Sequence, residues 1–147
     1  MDVFDYIAYS KYVHDEIICM KDTELGYRTK IYNFPTKRYF QRLDLKKNPT
    51  LIEMYKKRHQ KEFYWDVVGK GIREAGILDM EIFIYNEHLV MVVETALDFD
   101  WDEAFDKLAR DPIQIEWEEY MSMFQNANSN SSSTEKWQKM ERIFSLP

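Results

Sequence analysis

Residues 78–94 restrict the fold more than any other segment. Leu78, Met80, Ile82 and Ile84 alternate with Asp79, Glu81, Phe83 and Tyr85, the period of a strand with two different faces. Asn86-Glu87 makes a short turn, and Leu89 to Glu94 follows, rich in β-formers and nearly all apolar. Two such runs around a two-residue polar turn predict a β-hairpin. Both faces of the hairpin carry apolar side chains, so the sheet it belongs to must be covered on both sides.

The remaining elements follow from this anchor. Arg38 to Leu45 alternates and predicts a strand. Asn48-Pro49 opens a long helical stretch, because proline suits the first turn of a helix. That stretch runs to about Ala75, with a break expected near Phe63-Tyr64-Trp65 or at Gly69, and Gly76 is a natural C-cap. After the hairpin, a helix starts near Asp100 and is broken at Asp111-Pro112. Another runs from Pro112 to about Phe124. Residues 125–134, QNANSNSSST, form a low-complexity polar loop, and Trp137 to Leu146 predicts a final strand. The order strand, helix, strand, strand, helix, strand defines an α+β class, a ferredoxin-like βαββαβ sandwich with helices on one sheet face. Burying the other face against a second copy gives a dimeric α/β barrel, so a homodimer is expected. Residues 1–37 read as an N-terminal extension preceding a domain of residues 38–147. Within it, Val3, Tyr6, Ile7, Val13 and Ile17 lie near helical spacing, and Tyr27 to Tyr32 suggests a short strand.

Composition excludes several functions. The chain has 147 residues, enough to bury roughly two-thirds of its unfolded surface in one core. Its one cysteine, Cys19, excludes an intrachain disulfide framework and any multi-Cys metal site, and fits a reducing compartment. Four glycines, Gly26, Gly69, Gly71 and Gly76, cannot make a glycine-rich phosphate loop. No run approaches the ~18 apolar residues of a membrane span, and the acidic N-terminus does not read as a secretory leader. A cytoplasmic location is therefore expected, with no membrane partner. Charge is uneven: residues 28–73 hold 13 Lys/Arg against 4 Asp/Glu, and residues 74–119 hold 2 against 14. The acidic half argues against a continuous nucleic-acid surface.

Few residues can carry chemistry. His14 and His88 have no metal-ligand spacing to another histidine, so no metal is expected. His59 differs, because Tyr55 lies four residues before it and both point to one helix face. Histidine takes or gives a proton near neutrality, and a tyrosine hydroxyl can orient or relay it. Arg58 and Glu62 flank that face. The same spacing also suits the polar edge of an amphipathic helix. Glu81 stands in mid-strand, where carboxylates are depleted, so an interior position would demand a partner or a ligand. Trp65, Trp101, Trp117 and Trp137 are large aromatic platforms of the kind that stack on the apolar face of a sugar, although most tryptophans are simply core. Glu116-Trp117-Glu118 is an odd choice for pure core.

These residues carry a resemblance. Arg38-Tyr39, Leu43-Asp44-Leu45-Lys46, Pro49, Leu51-Ile52 and Tyr55-Lys56-Lys57-Arg58-His59 resemble the opening of the L-rhamnose mutarotase family. The pattern continues through Trp65, Gly76, Met80-Glu81-Ile82-Phe83 and Val93-Glu94. It closes with Glu116 to Met121, Phe124, Glu135-Lys136-Trp137 and Met140 to Phe144, covering residues 38–146. The Met80 to Phe83 strand and the ending are closer to the L-fucose branch. The resemblance implies a small homodimeric isomerase that needs no cofactor and interconverts the α and β anomers of a 6-deoxyhexose, L-fucose before L-rhamnose. It implies His59 and Tyr55 as catalytic groups, with Glu81, Trp65, Trp117, Arg58 and Met80 binding the monosaccharide. There are departures: two residues are inserted between His59 and Trp65, Asp66 replaces a proline, and Met80, Phe83 and Glu118 stand where the rhamnose branch has aromatic residues. Two other readings share the expected fold: a haem-binding or cofactor-free monooxygenase, and a sugar-binding dimer without turnover.

Overall fold

The computed structural model describes residues 22–127 and 131–147. The chain divides into two units, residues 1–31 and 32–147. The helical reading of Val3 to Met20 lies outside the described residues. In the first unit a single helical turn, α1 (Asp22–Leu25), is described. Tyr27 to Tyr32, expected as a short strand, carries no regular secondary structure.

The second unit is built on β1 (Thr36–Asp44), α2 (Pro49–Arg58), α3 (Asp66–Glu74), β2 (Ile77–Tyr85), β3 (His88–Ala96), α4 (Trp101–Leu108), α5 (Pro112–Ser122), α6 (Ser133–Lys136) and β4 (Gln138–Lys139). The four strands form one sheet in the order β2-β3-β1-β4, with every neighbouring pair antiparallel. This is the ferredoxin-like α+β arrangement expected from the element order. The predicted hairpin is present. Met80, Ile82 and Ile84 sit opposite Val93, Met91 and Leu89, and Asn86 takes a left-handed backbone (φ 55°) at its turn.

The helix boundaries have local causes. Asn48 caps α2, its side chain accepting from the backbone N–H groups of Thr50 and Leu51. The long helical stretch breaks where aromatic residues were expected to interrupt it, not at Gly69, which lies inside α3. At the break, His59 and Gln60 donate to carbonyls three residues back, which tightens and ends α2. Asp100 and Asp111 cap α4 and α5 in the same way as Asn48. Gly76 follows the end of α3 with φ 102°, a conformation that favours glycine, and a Cβ there would meet the Phe99 ring at 3.3 Å.

One sheet face carries the core. Leu43, Leu89, Met91 and Val93 are buried together with Tyr55 of α2, Val68 of α3, Trp101, Phe105 and Leu108 of α4, and Trp117 and Met121 of α5. On the opposite face Phe40 and Tyr85 are exposed. The final strand is shorter than expected. Only Gln138–Lys139 pairs, with Arg42 and Gln41, and Met140 adds one bond to the Phe40 carbonyl. Residues 141–147 then run on without regular structure, with Ile143, Phe144 and Leu146 exposed. The chain leaves the sheet edge at this point although β1 itself runs on to Thr36.

Candidate active site

A cavity of about 1,100 Å³ lies between the core face of the sheet and the helices. Tyr55, His59, Met80 and Trp117 all line it, so the structure brings these four expected site residues together. They come from α2 and its C-cap, β2 and α5, with Tyr55, Met80 and Trp117 packed in the core.

The proton-handling group is set by the end of α2. His59 Nδ1 lies 2.8 Å from the Tyr55 carbonyl oxygen. A carbonyl can only accept, so Nδ1 carries the proton. Neutral His59 then has its Nε2 unprotonated, a base on the side not used by the backbone. Burial holds the imidazole below its usual 6.5, and the bond to the Tyr55 carbonyl offsets this only in part. His59 is therefore neutral at physiological pH. Its ring packs 4.4 Å from the Tyr55 ring and edge-on to Trp117 at 5.7 Å, measured between centroids.

Tyr55 is buried, and burial pushes its hydroxyl well above the ordinary tyrosine range. The Gln125 side chain beside the phenol works against that shift, while the Glu118 carboxylate reinforces it. Tyr55 therefore keeps its proton and acts as a donor. Gln125 is 2% exposed and lines the cavity, and its Oε1 is buried with no hydrogen-bond partner.

Glu118 adds a carboxylate to the wall. Burial raises its carboxyl above the usual range, and the neighbouring Lys136 ammonium opposes the rise. Lys136 is fully enclosed. Its Nζ donates to the Glu118 carbonyl at 2.8 Å, to Glu118 Oε2 at 3.2 Å and to Ser122 Oγ at 2.8 Å. All three ammonium hydrogens are thus used. Gln41 and residues 131–135 complete this side of the cavity.

The other expected site residues lie elsewhere. Trp65 stands behind Trp117, in edge-on contact with it at 5.1 Å and stacked on Tyr120 at 5.7 Å. Arg58 turns away from the cavity: its guanidinium lies over the Phe63 ring, and its Nε is buried without a partner. Glu81 pairs with Val92 on the opposite face of the sheet from Met80. Exposed His88 bonds half-buried Asp44 at 2.8 Å, and His14 lies outside the described residues. No group of three metal-ligating side chains occurs among the described residues, and no described helix is long and apolar enough to cross a membrane.

A ferredoxin-like subunit with one aromatic-walled cavity, a neutral histidine base and buried amide and carboxylate groups is of the kind that handles a small polyhydroxylated molecule. The sequence profile of the L-rhamnose mutarotase family matches residues 38–146, and the chain belongs to that family of carbohydrate isomerases. An L-fucose mutarotase of Xanthomonas campestris pv. campestris is 36% identical over 104 residues, covering 71% of this chain and 83% of the relative. An L-rhamnose mutarotase of Burkholderia ambifaria is 30% identical over 102 residues, covering 68% and 90%. The crystal structure of an L-rhamnose mutarotase from Formosa agariphila superposes with a TM-score of 0.57 at 21% identity, covering 76% of this chain and 99% of the other; this likeness is one of fold.

Proposed function

We propose that the protein interconverts the α and β anomers of a 6-deoxyhexose, L-fucose before L-rhamnose, in the cavity that holds His59 and Tyr55. The observation that carries this reading is the bond from His59 Nδ1 to the Tyr55 carbonyl, which leaves a neutral Nε2 base in an aromatic-walled cavity. Anomerisation moves one proton from the C1 hydroxyl to the ring oxygen and back. His59 Nε2 takes the O1 proton, the C1–O5 bond breaks to give the open aldehyde, and the imidazolium returns that proton to O5. The C1–C2 bond then rotates, and the same steps in reverse close the ring on the other face. One neutral base that takes and returns the same proton serves both directions, and such positioned groups contribute roughly 10²–10⁴-fold. Tyr55 donates its hydroxyl to the sugar, Trp117 and Met80 pack on the ring, and Glu118 accepts sugar hydroxyls in the place first assigned to Glu81. The L-fucose preference rests on the higher identity to the relative named for that sugar.

The test is two-dimensional NMR exchange spectroscopy of the anomeric protons, for L-fucose and L-rhamnose in parallel. Wild type is expected to accelerate exchange, with L-fucose the better substrate, and His59→Ala to lose at least a hundredfold. Full activity in folded His59→Ala would overturn the mechanism, and no acceleration of either sugar would overturn the function.

The active form is a homodimer in this proposal. The outer sheet face exposes Phe40 and Tyr85, and the chain end exposes Ile143, Phe144 and Leu146. Exposed apolar side chains of this size are the material of an interface between copies.

A further inference from the structure

We propose that Gln41 binds the sugar, its side-chain amide meeting two adjacent ring hydroxyls, one as donor and one as acceptor. The inference rests on the mutarotase reading above and deepens it by naming a residue that reads the sugar's configuration. Gln41 lies in the middle of β1, an inner strand of the sheet, between Tyr39 and Leu43 on the core face. It is 2% exposed and lines the cavity. Its side chain makes no hydrogen bond among the described residues. The described side-chain polar atoms that are both unpartnered and sealed from contact belong to Arg58 and Gln125, not to Gln41. The little surface Gln41 keeps therefore includes its amide, and the cavity is what that amide meets. An apolar residue is the ordinary choice at such a place, because burying an amide without a partner is costly. The missing partner is supplied by what enters the cavity.

The strand register sets Gln41 in a row across the cavity floor. Met91 stands opposite it on β3, and Ile82 stands opposite Met91 on β2, so the three side chains share one face. Lys139 stands opposite Gln41 on β4, and its ammonium is spent on the Trp101 and Tyr39 rings, at 4.6 and 5.5 Å from their centroids. Strands β1, β2 and β3 give the cavity Gln41, Met80, Ile82 and Met91, and of these Gln41 alone carries a strong hydrogen-bonding group. The floor is thus an apolar platform with one amide set in it. A 6-deoxyhexose has the matching parts: a methyl group and ring C–H bonds for the platform, and hydroxyls for the amide.

A primary amide offers donor and acceptor side by side. Two adjacent ring hydroxyls offer the complement, and each hydroxyl can take either role, so the match holds whichever way the amide is turned. With the anomeric hydroxyl placed at His59, the remaining adjacent pairs are C2 with C3 and C3 with C4. Both contain the C3 hydroxyl, so every form of the contact requires it. Gln41 is thereby a specificity residue as well as a binding one, because a sugar that leaves this amide unpaired binds less well.

Gln41→Met keeps the length of the side chain and removes both polar atoms. Exchange spectroscopy is expected to show KM for L-fucose raised roughly 5–30-fold with a much smaller change in kcat, as when two neutral hydrogen bonds formed equally in ground and transition states are lost. 3-Deoxy-L-fucose should bind wild type several-fold more weakly than L-fucose, and that gap should close in Gln41→Met. Of the 2- and 4-deoxy sugars, one should behave likewise, which identifies the pair. Melting gives an independent readout. Without sugar, Gln41→Met should melt above wild type, because an unpaired amide in a core is replaced by an apolar side chain. An unchanged KM in folded Gln41→Met, the result expected if the amide holds only water, overturns the proposal. So does a 3-deoxy gap that persists in the variant. A lower Tm with equal losses for all three deoxy sugars marks a structural role and overturns it as well. Saturation-transfer binding separates the proposal from the reading beneath it. Sugar binding without accelerated exchange removes the mutarotase chemistry while the Gln41 contact is still measured by affinity. Failure of wild type to bind any of these sugars removes both.

Discussion

His59 is neutral in the folded chain because burial outweighs the bond to the Tyr55 carbonyl. The unfolded chain therefore takes up this proton first as pH falls. Stability due to His59 is complete above 6.5 and is lost as pH drops through 6.5 toward the lower folded value. Thermal denaturation between pH 7.5 and 5 should show a steeper fall in Tm for wild type than for His59→Gln. The activity should follow the same group, with kcat/KM flat near neutrality and an acid limb centred below 6.5 in the pH–rate profile. Lys136 presents the opposite case, a charge whose three hydrogens are all used inside the protein. Lys136→Met leaves the Glu118 carboxylate and the Ser122 hydroxyl without their donor. It should cost about 3 kcal/mol in urea denaturation, the low end for a broken buried pair because Glu118 opens on the cavity. Adding Glu118→Gln to that variant should recover part of the loss.

Among the elements, α2 and its C-cap hold both members of the proposed catalytic pair, so its start matters as well as its end. Asn48→Ala removes the acceptor for two backbone N–H groups and should cost about 1 kcal/mol of stability by chemical denaturation, with a smaller effect on exchange rate. Elements whose pattern is local could be read from the sequence. The β2–β3 hairpin and its register follow from period-two alternation around Asn86-Glu87, and Tyr55 with His59 follows from helical spacing. Elements fixed by a distant partner could not. Trp137 to Leu146 has a strand's composition, but it bonds to β1 only as far as Phe40. Gln125 opens a low-complexity stretch and nothing nearby in sequence marks it, while Lys136 lies in a family-like run that gives no hint of burial. Their roles come from β1 and α5, which fold around them. Glu81 shows the converse error. Met80 and Glu81 are adjacent on one strand, so they cannot both face one cavity, and the alternation that defined β2 already required a choice between them.

At the scale of the molecule, the helices cover one side of the sheet, while Phe40 at 38% and Tyr85 at 77% exposure remain on the other. Ile143 at 91% and Leu146 at 82% exposure end the chain. Sedimentation velocity should therefore give the mass of two chains. The double variant Ile143→Asp, Phe144→Asp should shift the population toward one chain without altering the circular dichroism of the fold. A single-chain mass for wild type at every concentration would mean that this surface is covered in some other way.

The acceptor that fixes the His59 tautomer is a main-chain carbonyl. Many histidine bases are aimed by a carboxylate from another residue, and one substitution there can silence them. Here no change of side chain at position 55 can remove the oxygen. Only replacing His59 or unwinding the last turn of α2 does so. The walls of the cavity, in contrast, are side chains that can be exchanged one at a time. Under the proposed function, inheritance can act on the two separately: variation in Met80 or Glu118 would alter which sugar is held, while the base proposed to open its ring would pass through unaltered. A lineage built on this arrangement can change diet without rebuilding its chemistry, and an engineer who randomises the cavity walls starts with a base already in register.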